Sequence, residues 1–189
     1  MLKISEGTGK LEHIQSINTN PLTNPFCNRT SKKKGLVCSK CYSRRACSSY
    51  RSRATEAWDR NAEVLTQPMT AFPPINAAFF RFHSHGELLN TQHFLNFCGI
   101  ARANRHCTFA LWTKRHRIVQ ANLAAAPENM VLVFSNPVID TITQPPKGFD
   151  KSFNVIKRLE VEANCGVKCW DCMKCYDKTE EQIIIERLK

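Results

Sequence analysis

Ten of the 189 residues are cysteines, and seven of them fall in two groups whose spacing suits metal chemistry. Near the end of the chain, NCGVKCWDCMKCYD sets Cys165, Cys169, Cys172 and Cys175 in a C-x3-C-x2-C-x2-C series. That series is too tight for a pairwise disulfide scaffold and too regular for incidental core packing. Thiolate is a soft ligand that selects zinc or clustered iron. A four-cysteine zinc site is usually built from two separated C-x2-C knuckles, whereas a continuous series in which one loop wraps a cubane is the habit of ferredoxin-type clusters. An iron–sulfur cluster is the expected occupant and zinc the alternative metal. The series departs from the usual ferredoxin run in having no proline after its last cysteine.

The earlier group lies in NPFCNRTSKKKGLVCSKCYS, where Cys38 and Cys41 form a C-x2-C pair. Cys27 upstream and Cys47 downstream compete for a third position. Cys47 sits six residues into an expected helix and would have to point back by more than a turn, so Cys27, Cys38 and Cys41 are favoured. Three thiolates leave one corner open, and open coordination is the signature of a catalytic metal. The bland alternative is a zinc knuckle in which Cys38 and Cys41 join two of the last four cysteines. Cys98 and Cys107 fall in apolar helix and strand patterns and are expected to be small buried hydrophobes. Of the histidines, His83, His93, His106 and His116 are expected to be packed or at the surface, while His85 stands out by its nearness to Glu87.

These residues need a scaffold. The length suits one domain over 1–189, with 161–180 a Cys-rich segment of its own. No run reaches the roughly 18–20 apolar residues needed to span a bilayer. The opening MLKISEGTGK lacks the apolar core of a secretory signal, which predicts a cytoplasmic protein with reduced thiols. The net charge of +11 favours an anionic partner, a nucleotide or nucleic acid first among them, against the plain reading of a solvated basic surface.

Residues 11–18 read as a strand, 19–41 as a loop and 42–66 as one helix stopped by Pro68. Strands are expected at 76–85, 106–113, 129–136, 152–160 and 181–188, with helices at 91–104 and 114–126. Alternating strands and helices, with nearly continuous apolar character in the middle strands, predict an α/β fold of parallel strands joined by right-handed crossovers. The expected architecture is an open partial (β/α)6 barrel with Cys-rich metal-binding loops, and a doubly wound sheet is its competitor. In such folds chemistry gathers at the carboxyl ends of the strands. Those ends carry His83, His85 and Glu87; Thr113 and Lys114; Ser135 and Asn136; Glu160 and Glu162. Both cysteine groups would reach the same rim.

The order C…CxxCY, RFHSHGEL, WTK and a terminal cysteine cluster resembles the radical S-adenosylmethionine enzymes, and in particular the small phage and bacterial gene-product-88 family. The resemblance implies a [4Fe-4S] cluster on Cys27, Cys38 and Cys41, with S-adenosylmethionine chelating the fourth iron. It places His85, Gly86 and Glu87 where the family's Gly-Gly-Glu motif meets the methionine amine, and it implies that Thr113, Ser135 and Asn136 complete the cofactor site. Cys165 to Cys175 would hold a closed auxiliary cluster, shielded by Trp170 and Met173, while Tyr42 packs over the first loop. The implied activity is one-electron cleavage of S-adenosylmethionine to methionine and a 5′-deoxyadenosyl radical, fed by a partner electron donor in a bacterial or phage-infected cell. Two departures stand out: the first loop is C-x10-C-x2-C instead of C-x3-C-x2-C, and His85 replaces the first glycine. A different class of function, a metal-stabilised basic nucleic-acid-binding protein without catalysis, remains beside it, as does a degenerate scaffold that keeps its clusters for sensing.

Overall fold

The computed structural model describes residues 1–179 and 181–188. Seven strands form one sheet in chain order: β1 (Ile4–Ser5), β2 (Gln15–Ile17), β3 (Phe79–Phe82), β4 (Thr108–Thr113), β5 (Met130–Ser135), β6 (Lys151–Ile156) and β7 (Ile183–Arg187). All neighbours from β2 to β7 pair in parallel, while β1 runs antiparallel against β2 at the edge. The six expected strands are all present, most of them shorter than read. β1 was not foreseen because two residues carry no period. A strand order that never reverses has no topological switch point, so the doubly wound alternative falls.

The helices are α1 (Pro25–Ser31), α2 (Tyr42–Cys47), α3 (Ser52–Leu65), α4 (Thr91–Ala103), α5 (His116–Ala121) and α6 (Cys169–Cys172). The expected loop at 19–41 thus contains a helix. Its start is set by Asn24, whose Oδ1 accepts from the Phe26 and Cys27 backbone N–H groups, and by Pro25 at the first helical position. The single helix expected over 42–66 is two, broken at Ser48–Arg51. Ser49 sits in that break, its hydroxyl donating back to the carbonyl of Arg45 and so competing with the helix ladder.

One face of the sheet holds the main core. Phe80, Phe82, Phe109, Leu111, Met130 and Leu132 pack there against Leu65 of α3, Phe94 and Phe97 of α4, and Val119 of α5. Phe82 stacks on Phe97 at 4.0 Å and on Phe109 at 5.1 Å between ring centroids. Cys98 and Cys107 belong to this core as expected, and burial pushes each thiol up to about 12. Asn61 of α3 fastens the sheet edge. It accepts from Lys3 N–H at 2.7 Å and donates to the carbonyls of Lys3 and Asn18.

The opposite face carries Ala110, Trp112, Val131, Val133 and Arg81, and the Cys-rich segment covers it instead of a long helix. Tyr176 is buried there, with Cys169, Met173 and Cys175 packed alongside. The link between β5 and β6 contains no helix at all. The regular strand–helix alternation therefore holds only for the first half of the sheet. Residues 164–165 sit along β7: the backbone N–H groups of Asn164 and Cys165 both donate to Ile185 O, and the Asn164 side chain exchanges bonds with Ile183 O and Ile185 N–H. An edge dressed in this way is closed to further pairing.

Phe82→Ala should cost about 3–5 kcal/mol of unfolding free energy, because a stacked ring is lost from a filled core. Trp170→Ala, at a ring 44% exposed, should shift the urea midpoint far less.

Candidate functional site

The rim at the carboxyl ends of the strands is organised around Glu87, which is 4% exposed. Its Oε1 accepts from the Leu88 backbone N–H at 2.8 Å and from the Thr113 hydroxyl at 2.5 Å, and its Oε2 accepts from the Lys114 backbone N–H at 2.8 Å. The Thr113 hydroxyl in turn accepts from Arg115 N–H at 2.9 Å, and Lys114 Nζ donates to Ser135 Oγ at 2.8 Å. The ends of β3, β4 and β5 are thereby linked through side chains. Asn24 Nδ2, on the loop before α1, donates to the Glu87 carbonyl and brings the first cysteine helix to the same place.

The Cys27 thiol is pushed well above its ordinary range, first by burial and then by the charges of Glu87, Cys38 and Cys41, with Lys114 opposing. Those four neighbours come from three separate stretches of chain, so the thiol group and the Glu87–Lys114 rim are one locality. Cys47 is turned into the core, 1% exposed, and burial, then the charge of Cys41, pushes it up to about 11. Cys27 lies on α1, which packs against the loop of Cys38 and Cys41, and Cys47 lies on the buried face of α2. The loop bearing the C-x2-C pair is anchored on the end of β5: Val37 N–H donates to Pro137 O, and Ile139 N–H to Gly35 O. Tyr42 ties the same loop to β3 by donating to Ser84 O at 2.6 Å.

His85 lies behind this loop. Its ring stacks on Trp58 at 4.6 Å, and its Nδ1 is 2.7 Å from Ser43 Oγ. Burial, then the cations Arg51 and Arg81, lowers it to about 4. Gly86 adopts φ +92°, and a Cβ there would come within 2.1 Å of Thr19 Oγ1 and 2.5 Å of Thr19 O, so this position accepts only glycine. His83 is also left-handed, at φ 64°, with both ring nitrogens buried and unpartnered among the described residues. The Trp112 backbone is near the ring but makes no bond that satisfies it. Burial and Arg81 lower His83 to about 3. Asn136 spends its amide on Thr141 O and Asn154 Oδ1, so that side chain is structurally engaged, and Glu160 and Glu162 are exposed away from the cluster.

The terminal thiols form a second locality across the covered face. Cys175 is pushed up to about 12 by burial first, with Cys165, Cys169 and Cys172 adding to the effect and Arg81 opposing it. Lys10 Nζ lies 3.1 Å from Cys165 Sγ, 3.3 Å from Cys165 O and 2.6 Å from Glu186 Oε1. Burial pulls that amine down, but the bonds to Glu186 and Cys165 outweigh it and hold it above the usual lysine range. Trp170 stands edge-on to His13 and Phe79, and Met173 packs on the covered face at φ 51°. All ten cysteines are free thiols. Among the described residues no three His, Cys, Asp or Glu side chains already surround one point closely enough to hold a metal ion. Both thiol sets carry the donor type that soft metals take.

Sequence reading missed Asn18, Asn24, Ser43 and Lys10. Asn18 Oδ1 accepts from His85 N–H and Ser84 Oγ, holding the turn that carries Glu87. An Asn-rich stretch directly after a strand was the available signal for Asn18 and Asn24. Lys10 is 155 positions from Cys165, and no local pattern joins them.

Fold and rim together define an α/β protein with a thiol-rich centre at the carboxyl edge of a mostly parallel sheet. The family model described as Gene product 88 matches residues 4–158, and the chain belongs to that family. The matched span includes Cys27, Cys38, Cys41 and Glu87 and ends before the terminal thiols. No curated protein and no solved structure matches the chain. No helix among the described residues is long and apolar enough to cross a membrane.

Glu87→Gln should cost about 1–3 kcal/mol, because the amide nitrogen would face one of the three donors now satisfied; the urea midpoint reports it. His83 and His85 are neutral in the fold but take up protons near pH 6.5 when unfolded. Their contribution is complete above that value and is lost as pH falls toward about 4 for His85 and about 3 for His83. Unfolding midpoints should therefore drop between pH 7.5 and 5, and His85→Asn should flatten the drop.

Proposed function

We propose that the chain is an iron–sulfur redox protein of the radical S-adenosylmethionine type, working on an open partial (β/α)6 barrel formed by β2 to β7. The barrel reading is supported by six parallel strands in unbroken chain order and by chemistry collected at their carboxyl ends. The observation that carries the functional reading is Asn24, which caps the helix bearing Cys27 and donates to the Glu87 carbonyl, so that this helix and the Cys38–Cys41 loop packed on it stand at the Glu87 rim.

Cys27, Cys38 and Cys41 would hold a [4Fe-4S] cluster with one iron free, and Cys165, Cys169, Cys172 and Cys175 a closed second one. When bound, the open cluster supplies the electron that splits S-adenosylmethionine. The chain's own part is to position and to exclude water. Gly86 lets the backbone turn tightly against Thr19, so that the turn presents its peptide groups toward the rim. Glu87 is fixed by three donors, two at the end of β4 and one on Leu88, and keeps lone pairs for an ammonium group. Thr113 and Lys114 hold that carboxylate, and Ser135 and Asn136 border the same rim. Arg81 lies over the Trp112 ring at 3.7 Å and offers positive charge to Cys169 and Cys175 of the terminal group. An electron-donor protein of the bacterial host cytoplasm would complete the cycle.

Protein made and purified without oxygen should contain about eight iron and eight sulfide per chain and little zinc. Cys38→Ser with Cys41→Ser should lower this to about four of each and abolish 5′-deoxyadenosine release from S-adenosylmethionine under dithionite. Cys47→Ser should do neither. Stoichiometric zinc without sulfide would overturn the proposal in favour of a metal-stabilised basic nucleic-acid-binding protein.

A further inference from the structure

Beside the first thiol group opens a cavity of about 680 Å³, between the cysteine loop, α2 and the ends of β6 and β7. Lys40, Arg44, Arg45 and Lys157 line it together with Cys38 and Cys41, and no carboxylate contributes to its wall. Four like charges around one hollow repel each other unless an anion joins them. Among the described residues none of the four is in an ion pair; the pairs formed are Lys10–Glu186, Lys168–Glu12, Lys174–Glu181 and Lys178–Asp150. Asp140 is turned to the backbone: it accepts from Lys157 N–H at 2.5 Å and Arg158 N–H at 2.8 Å, and so fixes the strand end that carries Lys157. Arg44 is held in place as well, its Nη1 donating to Pro21 O and Asn28 Oδ1, each at 2.6 Å. Lys40, Arg45 and Lys157 are exposed and available.

We infer that this cavity binds a phosphate ester of about nucleotide size, with its phosphates on Lys40, Arg44, Arg45 and Lys157 and its organic part toward Cys38 and Cys41. The volume lies within the range of small-molecule sites. Two guanidinium forks and two ammonium groups outnumber what a single carboxylate needs and suit the several oxygens of a di- or triphosphate. The wall is nearly all polar, Leu188 being its one aliphatic side chain, so charge and not apolar burial selects the ligand. The inference rests on the proposed redox reading only in making this ligand the substrate of the adjacent centre; the phosphate site itself requires no metal.

The test is displacement of a fluorescent N-methylanthraniloyl-ADP from the full chain, followed by anisotropy, in metal-free and in anaerobically prepared protein. ADP and pyrophosphate should displace the probe, adenosine should not, and affinity should fall as salt rises. Lys40→Glu with Lys157→Glu, both at exposed positions, should weaken binding at least about tenfold while circular dichroism stays unchanged. Lys147→Glu, on the loop between β5 and β6, should leave binding as it was. Displacement by a short single-stranded oligonucleotide far better than by ADP would support the phosphate site and name a strand as the source of the phosphate. Displacement by adenosine equal to that by ADP, indifference to the double reversal, or no probe binding at millimolar protein would overturn it. Iron and sulfide without ADP binding would sink this inference alone, and ADP binding without iron would sink the redox reading alone.

Discussion

The carboxylate of Glu87 is the constraint from which the rest of the rim follows. A buried carboxylate is tolerated only when its oxygens are met by donors, and here the donors sit on the end of β4 and on the residue that follows it. Satisfying that one group fixes the end of β3 against the end of β4, turns Thr113 and Lys114 inward and sets the charge beside which Cys27 lies. The neighbouring backbone is bent to match. Gly86 and His83 both adopt positive φ, and His85 N–H and Ser84 Oγ are received by Asn18 from the next strand. Of the two only His83 is strained, and it persists because the surrounding packing over-determines it.

The two faces of the sheet divide the labour. The helical face is a filled aromatic core and accounts for stability. The other face lacks the long helices that a regular alternation would place there and is closed instead by residues 164–176, whose side chains are largely thiol, cation and ring. Arg81 is central to that face. It lies over Trp112 and opposes the upward shift of the Cys169 and Cys175 thiols. The two thiol groups therefore share one sheet, although each is built from a different end of the chain and only the terminal one faces Arg81.

Much of this was legible in the residues themselves. The apolar periods of 106–113 and 129–136 located β4 and β5, and the period of 91–104 located α4, because each buries a continuous face. What escaped was set by contacts distant in sequence. The α1 helix hides in a Pro- and Asn-rich stretch whose capping residue only makes sense once the helix exists. The break between α2 and α3 falls among residues of fair helix propensity, and the packing that splits them is tertiary. Lys10 meets Cys165 and Glu186 only because β7 returns beside the early part of the chain on the covered face. The competing doubly wound topology is settled by strand order alone, which no local pattern encodes.

Strand order also governs how the molecule is made. Each new strand from β2 onward pairs with the one synthesised just before it, so the sheet can grow at the ribosome without waiting for a distant partner. The thiols and the carboxylate of the first centre lie between residues 27 and 114 and emerge early. The last strand and the thiols before it arrive when the rest is already assembled, and until they do β6 presents a bare edge to the crowded cell. Translation therefore imposes an order on assembly: the rim residues come together first, and the closing segment then covers the second thiol group and the vulnerable border of the nascent chain.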